Sequence, residues 1–267
     1  MVTPMPAALP PDLHRRGHRG GTILPHRSIR SLRLPPGRLL AGALLAAAFT
    51  VALLRLQPWV AQAWSDVLLW WMRGLALPGD FTPAVGGGEV ATLAVPGLEV
   101  RLRGLTGLAV LGHAVALVLL WWLPARLPDA ARPLTFLLRF VALTHGAALL
   151  FFVLWPASFP HSVRSHVGSG LRQAWMLMLL TPWLHLATFY IFPVAWWHRV
   201  LLTLLTLLFV LVLTPLQYAC HAALVVLLGL VAMPVLHLLG GVMLPILGFV
   251  ALYGWGMSWR RPALDLA

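Results

Sequence analysis

Cys220 and His221 are adjacent in the chain. A thiol beside an imidazole is the starting material of a covalent nucleophile, because the base removes the proton that keeps sulfur unreactive. His161 and Arg164 lie upstream in a stretch rich in serine and histidine and offer a further base and a cation. A second set is His113, His145 and His185, each inside a long apolar run. An ionisable residue at membrane depth is a functional candidate by default. Three imidazoles on successive runs suit a haem or metal site, a proton relay, or hydrogen bonds between helices. No carboxylate accompanies them in those runs, which favours the hydrogen-bond reading. The third set is an alternation, Leu98-Glu99-Val100-Arg101-Leu102-Arg103. In an extended strand it puts three apolar side chains on one face, with Glu99, Arg101 and Arg103 on the other, where they can meet a partner.

The segment Tyr218-Ala219-Cys220 resembles the region of the reactive thiol in exosortases and archaeosortases, which are polytopic and carry a membrane-embedded Cys, Arg and His. The resemblance covers these few residues. It implies a transferase acting at the outer leaflet through Cys220 and His221, with Arg164 and His161 in support. No arginine follows Cys220 inside an apolar run, where that family has one. Gly-rich phosphate loops, G-x-S-x-G and H-E-x-x-H are absent from the sequence. Cys220 is the single cysteine, which excludes an internal disulfide and a cysteine zinc cluster. No metal and no resident cofactor is expected.

The elements that must position these residues are membrane helices. The chain is 60% hydrophobic with mean hydropathy +0.86, well above the 45–50% typical of soluble domains. All 19 basic residues are arginine, and lysine and asparagine are missing, a usage expected of GC-rich bacterial coding. The net charge of +12 is concentrated in residues 1–38 and in short connectors. Membrane topology accounts for that distribution, so a nucleic-acid partner is not expected.

Residues 1–38 are expected to form a disordered basic cytoplasmic tail, and 39–54 the first transmembrane helix. Residues 55–104 have balanced charge and are expected in the periplasm. There an amphipathic surface helix over 59–75 precedes a β-hairpin of 89–95 with 98–103, turning at Pro96-Gly97. Residues 105–257 read as a helix bundle and 258–267 as a C-terminal tail. Its first two helices, 105–123 and 134–155, are joined by a proline- and arginine-rich turn that suits the cytoplasmic side. The later runs, 173–197, 200–213, 222–239 and 242–257, bring the count to seven, with breaks expected at Thr214–Gln217 and Gly240-Gly241. Arg260 and Arg261 oppose an outward C-terminus, which leaves six crossings as the alternative.

The fold class expected is therefore an all-α polytopic membrane protein of six or seven transmembrane helices with a small periplasmic amphipathic helix and β-hairpin. It is placed in a bacterial inner membrane with its N-terminus in the cytoplasm. The function expected is a non-catalytic accessory or scaffold subunit of an envelope export, assembly or biogenesis system. It would meet the bilayer through its helices and another envelope protein through Glu99, Arg101 and Arg103. The alternatives are the thiol- and histidine-based transferase and a b-type cytochrome or quinone-interacting anchor built on His113, His145 and His185.

Overall fold

A computed structural model describes residues 36–84, 93–102, 104–191 and 195–259. Most of the expected basic tail, residues 89–92 of the expected first strand, and Arg103 lie outside them. Five helical stretches among the described residues are long and apolar enough to cross a bilayer: Pro36–Gly74, Gly107–Arg126, Asp129–Leu154, Trp196–Leu228 and Leu230–Gly256. The protein is an all-α multi-pass membrane protein with, among the described residues, one small two-stranded sheet.

Helix α1, Pro36–Gly74, is a single rod of 39 residues. At 1.5 Å per residue it is about 58 Å long, roughly twice a hydrocarbon core of about 30 Å. The break expected before a separate surface helix is absent, and Pro58 sits inside the rod. The reason is packing. Gln57, Val60, Ala61, Trp64, Ser65 and Leu68 recur at helical spacing and are buried as one stripe. That stripe rests on α4 (Val163–Ile191) and α5 (Trp196–Leu228), so tertiary burial outweighs the local cost of proline.

Strand β1, Gly79–Thr82, pairs antiparallel with β2, Gly97–Val100, with Gly79 opposite Val100 and Thr82 opposite Gly97. This corrects the expected pairing of β2 with residues 89–95 through a Pro96-Gly97 turn. Gly97 is not among the glycines of positive φ, which a type II turn requires. It lies in the strand, where an added Cβ would stand 3.1 Å from the Arg164 guanidinium. Gly79 is needed for a similar reason, since a Cβ there would run into the Glu99 carbonyl. Leu98 and Val100 are buried in a core shared with Trp64, Leu68, Val163 and Val167. The sheet's apolar side therefore rests mainly on α4 rather than on α1 alone.

Helices α2 (Gly107–Trp122) and α3 (Arg132–Leu154) pack side by side, joined by two short 3-10 turns. Next, α4 starts at Val163, well before the run expected to begin at 173. Ser162 and Ser165 fix that start by exchanging hydrogen bonds. The Ser165 amide donates to Ser162 Oγ at 3.1 Å and the Ser162 amide to Ser165 Oγ at 2.9 Å.

The break expected at Thr214–Gln217 is also absent, because α5 runs unbroken through Pro215. Proline has no N–H, which leaves the Leu211 carbonyl without its helical donor. Trp64 of α1 supplies one, its indole N–H donating to that carbonyl at 2.9 Å. The helix ends instead at Gly229, with φ 77°. Beyond it the chain continues through α6 (Met233–Leu236), a π-helical turn (His237–Met243) and α7 (Leu244–Ser258). The expected turn at Gly240-Gly241 is thus a π-helical bulge within one continuous rod.

Candidate functional site

His113 and His145 meet, and the hydrogen-bond geometry assigns their protons. His113 Nε2 lies 3.0 Å from the Leu228 carbonyl, which can only accept, so Nε2 carries the proton. The other nitrogen of neutral His113, Nδ1, is then an acceptor for His145 Nε2–H at 3.0 Å. Leu228 is the last residue of α5, and its carbonyl is one of the groups a helix end leaves unpaired. The pair ties α2 and α3 to that end. His113 Nε2 is thus held by the Leu228 carbonyl and His145 Nε2 by His113 Nδ1.

His185 does not join them. Thr203 Oγ1 donates to the Arg199 carbonyl at 2.8 Å and therefore accepts from His185 Nδ1–H at 2.9 Å. This chain of bonds links α4 to α5.

His221 is buried and bonded to His166, Nδ1 to Nε2 at 3.1 Å. Cys220, one residue before it, is exposed. Successive helical residues point about 100° apart, and here the imidazole turns inward while the thiol turns outward. Tyr218 stands edge-on to both rings, with centroids 5.4 Å from His166 and 5.1 Å from His221. His237, from the π-helical turn, comes to 5.7 Å of His166. Three glycines make this cluster possible. A Cβ at Gly170 would strike the Tyr218 ring and one at Gly240 the His221 ring. At Gly241 it would sit 3.4 Å from the Tyr218 hydroxyl. Among the described residues, no three His, Cys, Asp or Glu side chains converge as metal ligands.

Arg164 belongs to the sheet. Its Nη2 donates to Thr82 Oγ1 at 2.9 Å, and its Nε is 3.6 Å from Glu99 Oε2. Glu99 is thus engaged within the chain, while Arg101 is exposed and its amide extends the ladder to the Pro78 carbonyl at 2.8 Å. His161 is exposed, its ring 5.5 Å from that of Phe159.

The structure thus joins His113 to His145 and Arg164 to Glu99, and leaves Cys220, His161 and His185 in separate places. His166 and His237 are not among the residues that the sequence singles out, and Gln217 appears there only as the end of an expected break. The available signal for His237 and Gln217 was a polar side chain in an apolar stretch. For His166, the Ser-x-x-Ser start of α4 marked the helix. No protein-family model, curated protein or solved structure matches the chain.

Proposed function

We propose that the protein is a non-catalytic accessory or scaffold subunit of an envelope export, assembly or biogenesis system in a bacterial inner membrane. The observation that carries this reading is the anchored sheet. Two short strands are marginal alone, yet these are fastened to α4 by Arg164 and buried Leu98, and to α1 by a 3.4 Å hydrogen bond from the Ala84 amide to Ser65 Oγ. Among the described residues each strand of this two-stranded sheet has one edge without a strand neighbour, and such an edge accepts a further strand. Arg101 stands exposed on its outer face.

The interior supports the same reading. His113, His145, His166, His185 and His221 are each spent on a bond between helices. A thiol transferase needs an imidazole at the thiol, and His221 is turned to His166 instead.

The rods also suggest an orientation. If α4 crosses, six rods alternate and both ends of the chain lie on one side. Arg260 and Arg261 then share the cytoplasmic side with the arginines of residues 1–38, as the positive-inside rule prefers. The sheet falls on the periplasmic side.

The test is site-specific photo-crosslinking from position 101 in whole cells, with the captured protein identified by mass spectrometry. A discrete envelope protein should be captured, and Arg101→Glu should abolish copurification of that protein while insertion and thermal stability stay unchanged. Capture of nothing from the sheet, together with full function after Arg101→Glu, defeats the proposal.

A further inference from the structure

Between α4, α5 and the π-helical turn lies a cavity of 380 Å³. Its size is within the range of small-molecule sites. Three side chains in its wall are buried and polar: Tyr218, 3% exposed, Gln217, 7% exposed, and Thr214, 5% exposed, whose hydroxyl donates to the Val210 carbonyl at 2.7 Å. Among the described residues, neither the Tyr218 hydroxyl nor the Gln217 amide has a hydrogen-bond partner. Neither is among the side-chain atoms sealed in the interior without a partner, so both polar groups open onto the cavity, where a ligand can pair them. The glycine positions show that the place is built. Gly170 and Gly241 are both stripped of Cβ where Tyr218 lies, so its ring and hydroxyl are held at the cavity wall. The π-helical turn that carries Gly241 is a conformation often found at functional sites.

We infer that this cavity binds a neutral, carbonyl-bearing amphiphile from the bilayer, its carbonyl accepting from Tyr218 O–H and Gln217 N–H and its apolar chain leaving between the helices. The walls define each part of that ligand. Tyr218 O–H and Gln217 N–H can both donate to a single acceptor with two lone pairs, which a carbonyl oxygen provides. No charged residue lines the cavity, so an anionic head would enter without a counter-charge. Apart from Thr214 and the exposed Gln173 the remaining wall is apolar, and Met176, Leu180 and Ile246 on it are also exposed at the outer surface of the helices, where lipid lies. A membrane quinone and the ester of a neutral diacyl lipid both have this chemistry. The site is separate from the sheet and does not depend on it.

The full-length protein in nanodiscs is titrated with radiolabelled decylubiquinone and, separately, radiolabelled dioctanoylglycerol. Saturable binding of one molecule per chain is expected for one of the two. The quinone arm identifies a quinone site and the glyceride arm a lipid site. Gln217→Leu and Tyr218→Phe should each weaken that binding roughly tenfold, the worth of one buried hydrogen bond. Both variants should unfold at the same or a higher temperature than the parent without ligand, because each removes an unpaired polar atom. Tyr218→Phe keeps the ring against Gly170, and Gln217→Leu gives an independent measurement should that variant misfold. Uptake of both probes no greater than in empty nanodiscs, or equal in parent and variants, overturns the inference and leaves a cavity that holds water alone.

Discussion

Trp64 shows how one side chain decides the course of a helix. Its indole N–H replaces the donor that Pro215 removes from the Leu211 carbonyl. Trp64→Phe should therefore lower stability by about 1–3 kcal/mol, the cost of a buried carbonyl left unpaired. In a Pro215→Ala background the same substitution should cost distinctly less, because the alanine amide restores the helical donor. Unfolding of the four proteins in detergent micelles measures this coupling, and equal costs in the two backgrounds would remove the explanation. His113 and His145 form a second coupled pair. Each alanine substitution should cost about 0.6–2 kcal/mol, as hydrogen bonds between membrane helices do. The double substitution should cost less than the sum, since either change already breaks the shared bond.

At the scale of elements, glycines set how closely α4, α5 and the π-helical turn approach. Gly170→Ala and Gly240→Ala should each destabilise by about 1–3 kcal/mol, because the new methyl meets the Tyr218 or the His221 ring in a packed interior. Gly112 on α2 has open space where its Cβ would be, so Gly112→Ala should be neutral or stabilising by up to about 1 kcal/mol. Thermal denaturation of the three variants side by side checks the contrast. The sheet has its own test. Leu98 and Val100 face the core while Arg101 faces out. Val100→Asp should open residues 79–102 to limited proteolysis at protease concentrations that leave the parent and Arg101→Glu intact.

For the whole molecule, the strongest expectation concerns sidedness. Reporter enzymes fused near Gly87 and near Asp129 should report opposite sides of the membrane, with Gly87 periplasmic. A fusion after Ser258 should report the same side as Asp129 if α4, α5 and the final rod each cross once, the last two covering a stretch where apolar runs alone suggest three passes. A periplasmic signal after Ser258 would mean that one of the six rods does not cross.

The membrane class, the positions of α2 and α3, and the alternation of β2 were all legible in the sequence. Each rests on local composition or on periodicity within one element, and the bilayer rewards both without reference to the rest of the fold. The points where the sequence misled are where distant groups repaired a local defect. Proline at 58 and 215 reads as a break, but packing on α4 and α5 carries α1 through the first and the Trp64 indole carries α5 through the second. Pro96-Gly97 reads as a turn, yet Gly97 is a strand residue that makes room for Arg164, which comes from a helix far along the chain. The histidines were visible one by one, but their pairing was not. Spacing places an imidazole along its own helix, and only the packing of α2 on α3 and of α4 on α5 decides which ring another ring meets.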